Sequence, residues 1–218
     1  MASNPPGLSP VSAARATDRT ASTAVTATSR RRRWGAQDLS LIAVFAALMV
    51  VSAVVPPIQI GNLLGVPLTL QTFVVTLAGL LLGPARGFAA VGLYTVIGLL
   101  GLPIFSGFRG GLAILVSPSA GYLLAFPFVA LIIGWLAVLA VRSRRWMQPT
   151  LLIAAGLVGL VVDHAAGILG MIINGKLAAG AALGADLVFV PGDVLKVVLT
   201  ALVALSLHRA FPALLRRR

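Results

Sequence analysis

GLPIFSGFRGGLAILVSPSAGY, residues 101–122, separates two long apolar runs and is itself broken by glycine and proline. It carries one arginine, Arg109, with Phe105, Phe108 and Tyr122 beside it. Irregular backbone is tolerated at membrane depth only where protein buries it or where it lines a cavity. The stretch therefore reads as a lid or binding loop at one face of a membrane bundle, the outer wall of a pocket for a small, partly anionic solute.

The rest of the chain supports a membrane setting. Of its 218 residues 59% are hydrophobic and only 10% charged, with a mean hydropathy of +1.02. Soluble domains carry about 25% charged residues, so lipid must be the solvent for much of this surface. The length suits about six spans of roughly 20 residues with short loops, which leaves little room for a soluble catalytic domain. A net charge of +12 is common in nucleic-acid binders, but Arg30 to Arg33, Arg142, Arg144, Arg145, Arg209 and Arg216 to Arg218 all flank apolar runs. That placement is typical of anchors beside anionic headgroups, so membrane lipid is the expected partner and nucleic acid is not. Cysteine and glutamate are absent, which removes thiol chemistry and leaves acid chemistry to five aspartates.

Residues 1–35 read as a disordered basic tail, 36–211 as a membrane domain and 212–218 as a second basic tail. The expected spans are 38–55, 68–82, 88–100, 121–141, 150–173 and 187–207. A turn over 83–87 ends the second span, and a loop of small residues over 174–186 joins the last two. The second and third spans are short, so tilt or local thinning is expected. With residues 1–35 inside, six crossings put Arg86, Arg142, Arg144, Arg145 and the C-terminal arginines on the cytoplasmic side. The fold expected is an all-α bundle of six transmembrane helices in the cell membrane, both termini cytoplasmic, with a re-entrant or lid-like loop after the third. Arg109 and Lys176 fall on the outer side; Lys176 reads as a solvated loop residue.

Chemistry concentrates in a few places. Asp193 and Lys196 lie three residues apart, hence on one helix face, and charges inside a span usually face a cavity or a partner. They form either a packing ion pair or a donor–acceptor pair for a polar ligand, with Lys196 for a carboxylate and Asp193 for N–H donors. Asp163-His164 sits midway along the fifth span at a comparable depth. Asp163 is either a third wall or a buried partner for another cation; His164 reads first as a hydrogen-bonded interhelical residue, and the pair also raises proton coupling. Thr69 and Gln71 offer neutral hydrogen bonds at the mouth of the second span, or merely bond across helices. Tyr94, Phe105 and Tyr122 are candidate aromatic walls, with Gly107 and Gly121 flanking them. Ala43 and Ala47 on the first span permit close approach by another subunit. No phosphate-cradling loop, zinc-protease motif or serine-nucleophile elbow occurs, so neither catalysis nor a metal or cofactor is expected.

The order VPLTLQT (66–72), LAGLLLGPARG (77–87), LYTVIGLLGLPIFSGFRGGLAILVSPSAGY (93–122) and GDVLK (192–196) resembles the BioY family. These are the biotin-specific substrate-binding subunits (S components) of energy-coupling-factor (ECF) transporters. The resemblance covers all but the two tails. It implies a six-helix subunit that binds biotin near the outer face, partly covered by the loop after the third helix. It further implies vitamin uptake with a transmembrane coupling subunit and ATP-hydrolysing subunits, the coupling subunit docking at Ala43 and Ala47. Asp193 and Lys196 match the family's biotin contacts. Two features depart from the family pattern: PSAGY stands where PTGGY is more usual, and Asp163-His164 stands where an aromatic residue is common. A stand-alone, proton-coupled transporter of a small carboxylate vitamin is the rival expectation.

Overall fold

The computed structural model describes residues 34–55, 66 and 69–211. The expected tails apart from Trp34 and Gly35, most of the connection after the first helix, and Pro67 and Leu68 of the VPLTLQT run lie outside them. Contacts divide the chain between Trp34 and Gly35, and the helical body belongs to the second part. Among the described residues it has seven α-helices: α1 Ala36–Val54, α2 Gln71–Leu82, α3 Pro84–Leu99, α4 Ala120–Arg142, α5 Gln148–Ile173, α6 Ala179–Leu187 and α7 Val190–Ala210. A 3₁₀ turn, Leu112–Val116, lies between α3 and α4. Helices α1, α4, α5 and α7 are long and apolar enough to cross a membrane. The chain is an all-α, multi-pass membrane protein.

The short α2 is the hub. It packs against α1, α3, α4, α5 and α7, and nine of its twelve residues are buried. A helix apolar all round belongs inside a bundle, and there its neighbours rather than lipid satisfy it. Gly83, at φ +77°, turns the chain sharply, and Pro84 opens α3 at its first position. The expected turn over 83–87 is thus a single residue, and α3 begins four residues before the expected start at 88. Proline needs no hydrogen bond to its missing N–H there, so the helix starts without cost.

The expected loop over 174–186 is corrected in the same way, because α6 occupies its second half. Small residues such as Ala179, Ala181 and Ala182 read as loop by bulk, yet alanine is the strongest helix former.

One end of the bundle gathers most of the arginines. Arg86 at the start of α3 pairs with Asp38 at the start of α1, N to O 3.2 Å. His208 Nε2, near the end of α7, lies 2.9 Å from the Leu80 carbonyl near the end of α2. Every described arginine except Arg109 sits near this end.

Candidate ligand pocket at the other end of the bundle

The opposite end opens into a hollow of about 660 Å³, mouth included. Its walls come from the start of α2, the 101–119 segment, α4, α5 and the start of α7.

The polar wall forms where α2 meets α7. Lys196 Nζ donates to Asp193 Oδ1 at 2.8 Å, to the Thr69 carbonyl at 2.6 Å and to Thr72 Oγ1 at 3.3 Å. Thr72 Oγ1 in turn donates to the same Asp193 oxygen at 2.8 Å. The i, i+3 spacing puts both charges on one face of α7, and α2 begins there, so its first-turn groups complete the pairing. Thr69 Oγ1 donates to Gln71 Oε1 at 3.2 Å and accepts from the Gln71 N–H at 3.3 Å, which orients that amide.

Gln71 Nε2 then donates to the Tyr94 hydroxyl at 2.8 Å. Tyr94 is wholly buried and stands behind the wall, holding Gln71 from α3. Gln71→Leu should strand that hydroxyl and lower the unfolding free energy by about 1–3 kcal/mol. Thermal unfolding in detergent reads the loss, and an unchanged midpoint would exclude this bracing role.

The irregular segment forms the roof. Phe105 and Arg109 exchange backbone hydrogen bonds, Phe105 N–H to Arg109 O at 2.9 Å and Arg109 N–H to Phe105 O at 3.3 Å. This closes a tight hairpin whose tip uses positive φ at Gly107, +73°, and at Phe108, +54°. Gly107 is needed for the turn and lies outside the lining. The Phe105 ring seats on Gly98, where any Cβ would collide with it, and meets Tyr94 edge-on at 5.4 Å. Farther along, Asn174 Nδ2 ties the segment to the end of α5 through the Leu115 and Ser117 carbonyls, at 2.8 and 3.0 Å. Arg109 stands at the rim, its Nε donating to the Ser106 carbonyl at 3.2 Å.

The third wall is a buried acid–base cluster. His164 Nδ1 lies 2.7 Å from Asp186 Oδ1, and the Tyr122 hydroxyl donates to the same oxygen. His164 Nε2 faces Asp193 Oδ2 at 3.5 Å. Asp163, on the preceding residue, lines the hollow at 2% exposure. Tyr122 can stand here because α5 offers Gly167 beneath its ring.

Of the residues singled out from sequence, Thr69, Gln71, Phe105, Arg109, Tyr122, Asp163, Asp193 and Lys196 share this hollow. Tyr94, Gly107 and Gly121 do not. Gly121 serves packing: its Cα faces α5 so closely that a Cβ would collide with the Ala166 carbonyl. Sequence reasoning passed over Asp186, which closed the expected loop over 174–186 and stands behind the lining, and Ser106, Phe126 and Phe189, which line the hollow. A signal for Asp186 existed, since it is one of only five acidic residues in the chain and lies just before a proline-started helix. Among the described residues no group of three or more metal-ligating side chains is placed to hold a metal ion.

Known proteins share this arrangement of sequence and fold. The BioY family model matches residues 21–213. The chain is 38% identical to the biotin transporter BioY of Rhizobium etli, over 82% of this chain and 96% of that one. It is also 38% identical to the biotin transporter BioY of Rhodobacter capsulatus, over 84% and 98%. Its fold is similar to the crystal structure of the S-component for biotin from an ECF-type ABC transporter. There the TM-score is 0.71 and the identity 28%, with 85% of this chain and 95% of that chain covered. A family match across most of the chain, two relatives aligned nearly end to end and a similar solved fold agree with the helical bundle described above: the chain belongs to the BioY family.

Proposed function

We propose that this protein is a membrane-embedded biotin-binding subunit that mediates biotin uptake together with an ECF coupling module, with no catalysis of its own. One observation carries the reading: a single hollow brings together carboxylates, a lysine, neutral amide and hydroxyl groups, aromatic faces and an arginine at the rim. Biotin presents the complementary set, a ureido ring with N–H donors and a carbonyl, an apolar thioether ring and a valerate carboxylate. Asp193 faces the ureido N–H groups, and Phe105 and Tyr122 flank the apolar ring. Lys196 is committed to Asp193 and α2, so Arg109 at the rim is the cation for the carboxylate. Purified protein should retain radiolabelled biotin saturably; no retention would overturn the reading.

The same reading assigns topology. Helices α1 to α5 and α7 are the six crossings, the arginine-rich end faces the cytoplasm with both termini, and the hollow opens outward. The 105–109 hairpin acts as the lid over bound biotin, since 112–117 is tied down by Asn174. Ala43 and Ala47 lie exposed on α1, which suits docking of the transmembrane coupling subunit, with ATP hydrolysed by the associated ATPases. Ala43→Trp with Ala47→Trp should abolish co-purification of the coupling subunit and leave biotin retention unchanged. Intact complex with both tryptophans present would move the docking face elsewhere.

A further inference from the structure

The charged groups around the hollow are unequally engaged. Asp193 Oδ1 already accepts from Thr72 and Lys196, and its Oδ2 faces His164. Lys196 is held by Asp193 and by α2. His164 turns its Nδ1 to Asp186, which also receives the Tyr122 hydroxyl. Three buried polar atoms have no hydrogen-bond partner among the described residues, Asp163 Oδ1, Ser106 Oγ and His164 Nε2; Asp163 is the carboxylate among them, and its side chain lines the hollow. Buried polar atoms are almost always hydrogen-bonded, and a carboxylate oxygen deprived of a donor is among the costliest exceptions. Lys196 is committed to Asp193 and α2 and His164 Nδ1 to Asp186, so a donor on whatever occupies the hollow is a partner suited to the Asp163 carboxyl.

We infer that Asp163 is a specificity-determining contact: from α5 its carboxylate accepts an N–H of the ligand's polar ring, complementing Asp193 on α7. The inference rests on the biotin reading and deepens it. The ligand class selected is a cyclic urea, or a cyclic guanidine of the same shape, carried on a short carboxylate chain. A ring of the same size without N–H donors leaves Asp163 unsatisfied and is rejected, because a site built to hydrogen-bond a group discriminates strongly against an analogue lacking it.

Calorimetric titration of purified wild type and Asp163→Asn with biotin and with lipoate tests this. Lipoate keeps the valerate chain but has no ring N–H. Asparagine is isosteric and keeps a weaker, neutral acceptor. Biotin affinity should fall about tenfold or more, the size of a hydrogen bond to a charged group, and lipoate affinity should not fall. The preference for biotin therefore narrows by the same factor. A second arm needs no variant. On wild type, dethiobiotin, which keeps its N–H groups, should bind close to biotin, and lipoate at least about a hundredfold more weakly. An unchanged biotin-to-lipoate preference in Asp163→Asn, or lipoate binding wild type as tightly as biotin, overturns the inference and leaves the biotin reading standing. Wild type that retains no biotin overturns both.

Discussion

Lys196→Met should lower biotin affinity by at least about a hundredfold and destabilise the protein in the same stroke. Removing one partner of a buried pair leaves the other as an uncompensated charge, a loss of about 3–5 kcal/mol. Here the stranded group is Asp193, at 5% exposure, which would keep only Thr72 and the long contact to His164. The Thr69 carbonyl loses its donor as well, so the start of α2 loosens from α7. The pair borders a hollow, and water entering it softens the penalty, so the lower end of that range is expected. A double variant separates the two roles. Asp193→Asn combined with Lys196→Met removes both charges and should recover most of the stability, because an apolar or neutral pair of similar volume is often tolerated. Biotin binding should stay weak, because the wall between α2 and α7 no longer carries its ionised acceptor and Asp163 alone remains to meet the ureido N–H groups. Thermal unfolding and biotin titration on the three proteins decide it. If single and double variants prove equally unstable, the pair is not coupled and its place in the wall must be rethought.

The sequence made the long elements and the charged pair legible because those signals are local. Spans of α1, α4, α5 and α7 follow from apolar length, and Asp193 with Lys196 follows from helical spacing alone. Arg109 stood out because a cation in a glycine-broken segment on the outer side has no topological reason to be there. What stayed hidden depends on contacts far apart in the chain. Asp186 reads only as the end of a loop until α6 folds it back toward His164, 22 residues earlier, and Tyr122, 64 residues earlier. Tyr94 reads as a wall aromatic, but the Gln71 amide stands in front of it. The length rule for spans is set by lipid, so it could not anticipate that α2, enclosed by other helices, is free to be only twelve residues long.

Glycines show the same limit, and they yield the other large expected effect. Gly121→Ala should prevent stable assembly, with an unfolding loss above about 3 kcal/mol. Its added Cβ would meet the backbone of Ala166 and crowd Gly170, and backbone has no rotamer with which to retreat. Helices α4 and α5, the most extensively packed pair in the body, would have to part. Gly167→Ala lies nearby on the same seam and should behave differently. Its Cβ would strike the Tyr122 ring, which can swing aside at the cost of its hydrogen bond to Asp186 and its place in the pocket wall. The expected result is a folded protein with biotin affinity reduced by about tenfold to a hundredfold, one to two tenfold steps of about 1.4 kcal/mol each. Monodisperse yield in detergent reads the first outcome and biotin titration the second. A cycle then ties the second to its cause. If Gly167→Ala acts through Tyr122, adding it to Tyr122→Ala should cost no further affinity, since the ring it displaces is already gone. Losses that simply add would mean that Gly167 shapes the hollow by another route, and that α5, not the tyrosine it seats, sets the wall.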